Sequence, residues 1–183
     1  MDPRLTGRLS ALIGAFENKN PFDLKRIGND AISDAVLNNS MDLAEVSVTA
    51  YSLYKMLTKR HITQSPRWKK IGESVLASLR RALEEAEKGN GNAFRKSLGG
   101  ATGKIEEIDY DLSNFARGIR EKAKIKQAST AYAMGMSLSQ AAELAGAERN
   151  ELQRYIGITR IHDEQPATKG ISERLKAFRE ALS

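Results

Sequence analysis

The chain has 183 residues, with 29 Lys plus Arg against 23 Asp plus Glu and a net charge of +6 at pH 7, a basic excess that suits acidic partners such as nucleic acid. The lack of cysteine excludes disulfide scaffolds, thiolate metal centres and cysteine nucleophiles, and His61 and His162 are too few for a histidine-built metal site or catalytic triad. The longest uncharged run, Gln127 to Ala142, is too short and polar to span a bilayer and Met1-Asp2-Pro3-Arg4 lacks the form of a signal peptide, so a cytosolic protein with no membrane attachment is expected.

Ala (23), Leu (18) and Ile (13) dominate the apolar residues, Val appears only 4 times, and no stretch sustains the two-residue alternation of a strand, which predicts an all-α protein. Leu5, Leu9, Leu12, Ile13 and Phe16 mark a first helix that Asn18-Lys19-Asn20-Pro21 stops. A second runs from about Phe22 to Leu37. Ser40 is placed to cap a third, whose seam is Leu43, Val46, Ala50, Leu53 and Leu57. Val48, Tyr51 and Met56 add apolar surface off that seam and put this helix near the centre of a bundle. Ser65-Pro66 signals a fourth helix start, followed by the stripe Trp68, Ile71, Val75, Leu79, Leu83 and Ala86, which assigns Trp68 to the core. Gly89-Asn90-Gly91 ends it.

The cluster Gly99-Gly100-Ala101-Thr102-Gly103 is read as a hinge. The predicted organisation is an N-terminal helical bundle over 1–98, the glycine-rich hinge over 99–103, a linker helix and C-terminal three-helix unit over 104–165, and a tail helix over 166–183. The linker pattern is Ile105, Ile108, Leu112, Phe115 and Ile119, and the tail carries Leu175, Phe178 and Leu182 at helical spacing. Gly99 to Lys104 is not a phosphate loop, because its spacing is one residue short, Ile105 replaces the Ser or Thr and no strand precedes it. Glu106, Glu107, Asp109 and Asp111 read as a solvated acidic face rather than a metal site. Neither histidine follows an arginine at the four-to-six-residue gap of small helical ribonucleases, and no enzyme activity or cofactor is expected.

The most specific signal lies between Lys122 and Ile156, where helices are predicted around 124–134, 138–145 and 148–156. Ser137 and Gln140 have capping-box spacing. Gly146 falls where the chain needs a left-handed residue, and the small Ala142 permits close helix crossing. Ala141, Leu144, Ala145, Leu152 and one or both of Tyr155 and Ile156 supply a small core. From Leu138, the run Leu-Ser-Gln-Ala-Ala-Glu-Leu-Ala-Gly-Ala-Glu-Arg-Asn-Glu-Leu-Gln-Arg-Tyr resembles the helix-turn-helix superfamily of DNA-binding proteins over about a fifth of the chain. The segments Ala128 to Tyr132 and Thr159 to Glu164 also give the whole chain a loose resemblance to little-characterised archaeal helical proteins, some encoded near nucleases of the PIN toxin class.

The helix-turn-helix resemblance implies an outward face of the third helix carrying Arg149, Asn150, Gln153 and Arg154 toward base edges, since Arg pairs bidentately with guanine and Asn or Gln with adenine. Glu148 and Glu151 would repel phosphate, although Glu148 also suits a helix N-terminus. Basic residues concentrate in two tracts. Arg117, Arg120, Lys122, Lys124 and Lys126 lead into the motif, the last four as candidate phosphate contacts. Lys59, Arg60, Arg67, Lys69 and Lys70, with Lys55, form a secondary basic patch free of acids, equally well read as a solvated helix end. The expectation is a homodimeric transcriptional regulator reading double-stranded DNA. The competing reading is a protein-interaction module or an antitoxin-like partner of a nuclease, and RNA binding is disfavoured by the lack of aromatic platforms.

Overall fold

A computed structural model describes residues 3–112 and 118–158, the side chains of 108–112 excepted. The predicted tail helix over 166–183, His162, Phe115 and Arg117 lie outside the described residues. Within them every regular element is helical: α1 (Pro3–Glu17), α2 (Pro21–Asn38), α3 (Met41–Thr58), α4 (Arg60–Thr63), α5 (Trp68–Glu87), α6 (Gly91–Leu112), α7 (Ile119–Ala133), α8 (Leu138–Ala145) and α9 (Arg149–Ile158).

Local signals set most helix ends. Asn20 accepts hydrogen bonds from the Phe22 and Asp23 amides and Pro21 occupies the first turn of α2, so an orphan donor is capped and another is missing by design. Lys19 takes the left-handed conformation at φ 50 and turns α1 into α2. Asn39, at φ 47, closes α2, and Ser40 accepts from the Leu43 amide to open α3. Ser65 begins the turn before α5 by accepting from the Arg67 amide, with the regular helix starting at Trp68.

α3 is the central helix. It packs against α1, α2, α4, α6, α7 and α8, and the seam residues Leu43, Val46, Ala50 and Leu53 are buried together with Val48, Tyr51 and Met56, so apolar surface is covered nearly all round the helix. At the crossing with α2 the backbones approach closely. A Cβ on Gly28 would stand 3.3 Å from the Ser47 carbonyl oxygen and 3.5 Å from the Tyr51 nitrogen, and the Ser47 hydroxyl donates to the Gly28 carbonyl at 2.7 Å. Trp68 packs edge-on against Phe16 of α1, centroids 6.1 Å apart, and lies partly buried against the core rather than within it.

The hinge expected at Gly99 to Gly103 is not there: α6 runs through all three glycines without a break. The physical reason is the buried stripe Phe94, Leu98, Ala101 and Ile105, whose three-four spacing passes through the glycines in phase and lets packing override poor local propensity. Gly100 faces Ser78 of α5 at 3.5 Å from its would-be Cβ, while Gly99 and Gly103 meet nothing. The last three helices continue the same core, with α7 lying on α2 and α3, α8 also touching α3, and α9 resting on α7 and α8. Among the described residues no helix is long and apolar enough to cross a membrane.

Candidate nucleic-acid interface

The turn between α8 and α9 is built by local chemistry. Ser137 accepts from the Gln140 amide at 3.2 Å and the Gln140 side chain accepts from the Ser137 amide at 3.2 Å, the reciprocal pair that the S-x-x-Q spacing predicts. At the other end Gly146 adopts φ 63, ψ 30. Its amide donates to the Glu143 carbonyl and the Ala147 amide to the Ala142 carbonyl at 2.8 Å, a Schellman closure that satisfies two otherwise unpaired carbonyls. Ala141, Ala142, Leu144, Ala145 and Leu152 are buried. Ile156 packs against the core, whereas Tyr155 turns to a lateral cleft. The preceding turn depends on Gly135 at φ 103, which composition alone did not single out.

Glu148 resolves one objection to an anion-binding surface here. Its carboxylate accepts from the Glu151 amide at 2.8 Å, so it caps the N-terminus of α9, where negative charge is favoured. Glu151 pairs with Arg154 at 3.2 Å. The predicted base-reading residues Arg149, Asn150, Gln153 and Arg154 are all exposed. At about 100° per residue they occupy an arc of about 140° on the side away from Leu152. The arc offers bidentate donors and amides without an apolar interruption.

The predicted phosphate contacts divide between two faces of α7. Arg120 and Lys124, one turn apart, are engaged within the chain. Arg120 pairs with Glu45 of α3 at 2.7 Å and with Glu106 of α6 at 3.2 Å. Burial opposes its charge, but hydrogen bonding and attraction from the two carboxylates prevail and raise its pKa. Arg120 is therefore a tie between helices, its charge met 75 residues away in sequence. Lys124 reaches Glu121 at 2.6 Å with only 16 % of its side chain exposed, and its stem passes 3.9 Å from the would-be Cβ of Gly146. On the other face Lys122 is exposed and Lys126 half-buried.

The secondary patch brackets α4. Arg60, Arg67, Lys69 and Lys70 are exposed and Lys59 is partly covered. Lys104 of α6 borders Arg67 and Lys70 and pairs with Glu107 at 2.9 Å. That hydrogen bond and charge hold the Glu107 carboxyl below its ordinary value, with smaller contributions from Arg67 and Lys70. Glu106 and Glu107, read as a solvated acidic face, are thus each matched to a named cation.

No family model, curated protein or solved structure matches this chain.

Proposed function

We propose that the protein is a non-enzymatic, sequence-selective binder of duplex DNA, in which α7, α8 and α9 act as a helix-turn-helix and α9 reads the major groove. The observation that carries this reading is the exposed arc of Arg149, Asn150, Gln153 and Arg154 on a short helix whose approach is fixed by the capped α8 and the Gly146 turn. Lys122, exposed one turn beyond Lys126, supplies positioning contact to the backbone. One reading helix touches few base pairs, so we place the protein on DNA as a homodimer with two helices in successive major grooves, in the role of a transcriptional regulator.

The test is a gel shift of the purified protein on genomic duplex fragments with random duplex as competitor. Arg149→Ala or Asn150→Ala weakens the preferred duplex by about 1 to 3 kcal/mol more than random duplex, the worth of a lost bidentate base contact. Lys122→Gln weakens both alike and lowers the salt slope by about one, because each phosphate contact releases condensed counterion. Equal loss on specific and random DNA from the α9 variants would reduce α9 to an electrostatic or packing element.

A second reading is favoured by one observation. Leu37 and Met41, either side of the α2–α3 turn, are 78 % and 59 % exposed, apolar surface suited to a protein contact. In that reading the bundle binds a partner, antitoxin-like, and DNA contact is secondary or absent. A chain that retains no duplex but forms a stoichiometric complex through this turn would favour it.

A further inference from the structure

A cleft of about 660 Å³ opens where α2 and α3 meet α7 and α9. Its walls carry three lysines, Lys25, Lys55 and Lys126, and three tyrosines, Tyr51, Tyr54 and Tyr155, one or more from each of the four helices, and no acidic residue lines it among those described. Tyr51 and Tyr54 meet edge to face with centroids 5.3 Å apart. The Lys55 ammonium stands 5.1 Å from the Tyr54 ring centre and 5.5 Å from that of Tyr51, and the Lys25 ammonium 5.9 Å from Tyr54. Neither Lys25 nor Lys55 forms an ion pair with a described residue.

This contrasts with the paired cations elsewhere in the chain. Arg8, Arg26, Arg95, Arg120, Lys88, Lys104 and Lys124 each have a carboxylate partner, whereas Lys25 and Lys55 at the cleft are met by aromatic rings. Rings stabilise an ammonium without neutralising it, so Lys25 and Lys55 keep a positive field that low-dielectric walls focus. Burial, with smaller contributions from Tyr54 and Tyr155, pushes the Tyr51 phenol up to about 12, which keeps its hydroxyl a neutral donor. The volume exceeds that needed for a bare inorganic anion and falls in the range of small-molecule sites.

We propose that this cleft binds a nucleoside phosphate, its phosphate held by Lys25 and Lys55 and its ring by Tyr54 and Tyr155. Lys25 and Lys55 supply point charges for an anion of more than one negative charge, and the phenol rings of Tyr54 and Tyr155 supply flat, polarisable faces of the kind on which bases stack. The site is separate from the exposed arc of α9 and stands or falls independently of DNA reading.

The experiment uses the full chain in thermal melts and isothermal titration with AMP, ATP, ribose 5-phosphate and pyrophosphate at matched ionic strength, beside a short random duplex. The expected result is binding of AMP or ATP at least about tenfold tighter than of ribose 5-phosphate or pyrophosphate, reduced at least about tenfold by Lys25→Gln with Lys55→Gln and unchanged by Lys122→Gln. Lys25 is exposed and Lys55 half-buried, and the melting temperature of the unliganded variant checks that it folds. No nucleotide binding, binding indifferent to the double substitution, or equal binding of pyrophosphate overturns the proposal. So does a cleft that serves duplex alone, seen as loss of DNA affinity in the double variant with no nucleotide bound by the parent chain.

Discussion

α3 and α9 are built from the same helical period and end up in opposite situations. Of the 18 residues of α3, 11 are buried, so its identity is set by six neighbouring helices, and polar side chains inside it are absorbed by its own backbone: Ser52 donates to the Val48 carbonyl and Thr49 to that of Glu45, both at 2.8 Å. Of the ten residues of α9 only Leu152 is buried. Its position follows from one anchor, an N-terminal carboxylate cap and the glycine turn before it. The lesson is that a helix fixed by packing has little side-chain surface left for recognition, whereas one held at its start and by a single anchor can carry a full polar face.

The comparison is broken most forcefully from the α3 side. Leu53→Ala, at a fully buried position, should lower stability by about 2 to 5 kcal/mol through lost transfer and a residual cavity, read as a fall in the urea midpoint with the slope retained. A loss below about 1 kcal/mol would mean that the site collapses freely and that α3 does not organise the core.

Gly146→Val acts on the support of α9. The residue holds φ 63 with only the Lys124 stem nearby at 3.9 Å, so the penalty is backbone strain rather than collision, on the order of 1 to 2 kcal/mol. The same substitution should reduce duplex retention more than it reduces overall melting temperature, since it displaces α9 while leaving α1 to α6 packed. Duplex binding unaffected by this change would show that α9 does not need its fixed approach.

A smaller effect of opposite sign tests the continuity of α6. Gly103 is exposed, helical and surrounded by open space, so Gly103→Ala should stabilise by about 0.5 to 1 kcal/mol by removing backbone freedom from the unfolded chain. Gly99→Ala should do the same. Stability left unchanged or lowered by both would indicate that the segment works as a hinge after all. At the small end, Gln153→Ala on the outer face of α9 should change stability by no more than about 0.5 kcal/mol while weakening the preferred duplex, which separates surface chemistry from folding. A large destabilisation there would place Gln153 in a packing role.

Sequence alone determined the features whose causes lie within four or five residues. The all-helical class, the caps at Ser40 and Ser137 with its partner Gln140, the left-handed Gly146 and the buried stripe of α3 follow from local hydrogen bonding, backbone sterics and helical periodicity, which act over one turn. At the glycine cluster of α6 local propensity favours a break and helical phase favours continuation, and phase prevails. Phe94, Leu98, Ala101 and Ile105 already carried the signal that the helix continues, and burial against α5 made it decisive. Other features had no local cause to read. Arg120 finds Glu45 in α3, and Lys25, Lys55 and Lys126 reach one cleft from three separate helices. Which charges meet a carboxylate and which meet an aromatic ring depends on side chains distant in sequence and close in space, and only the packing of the helices brings them together.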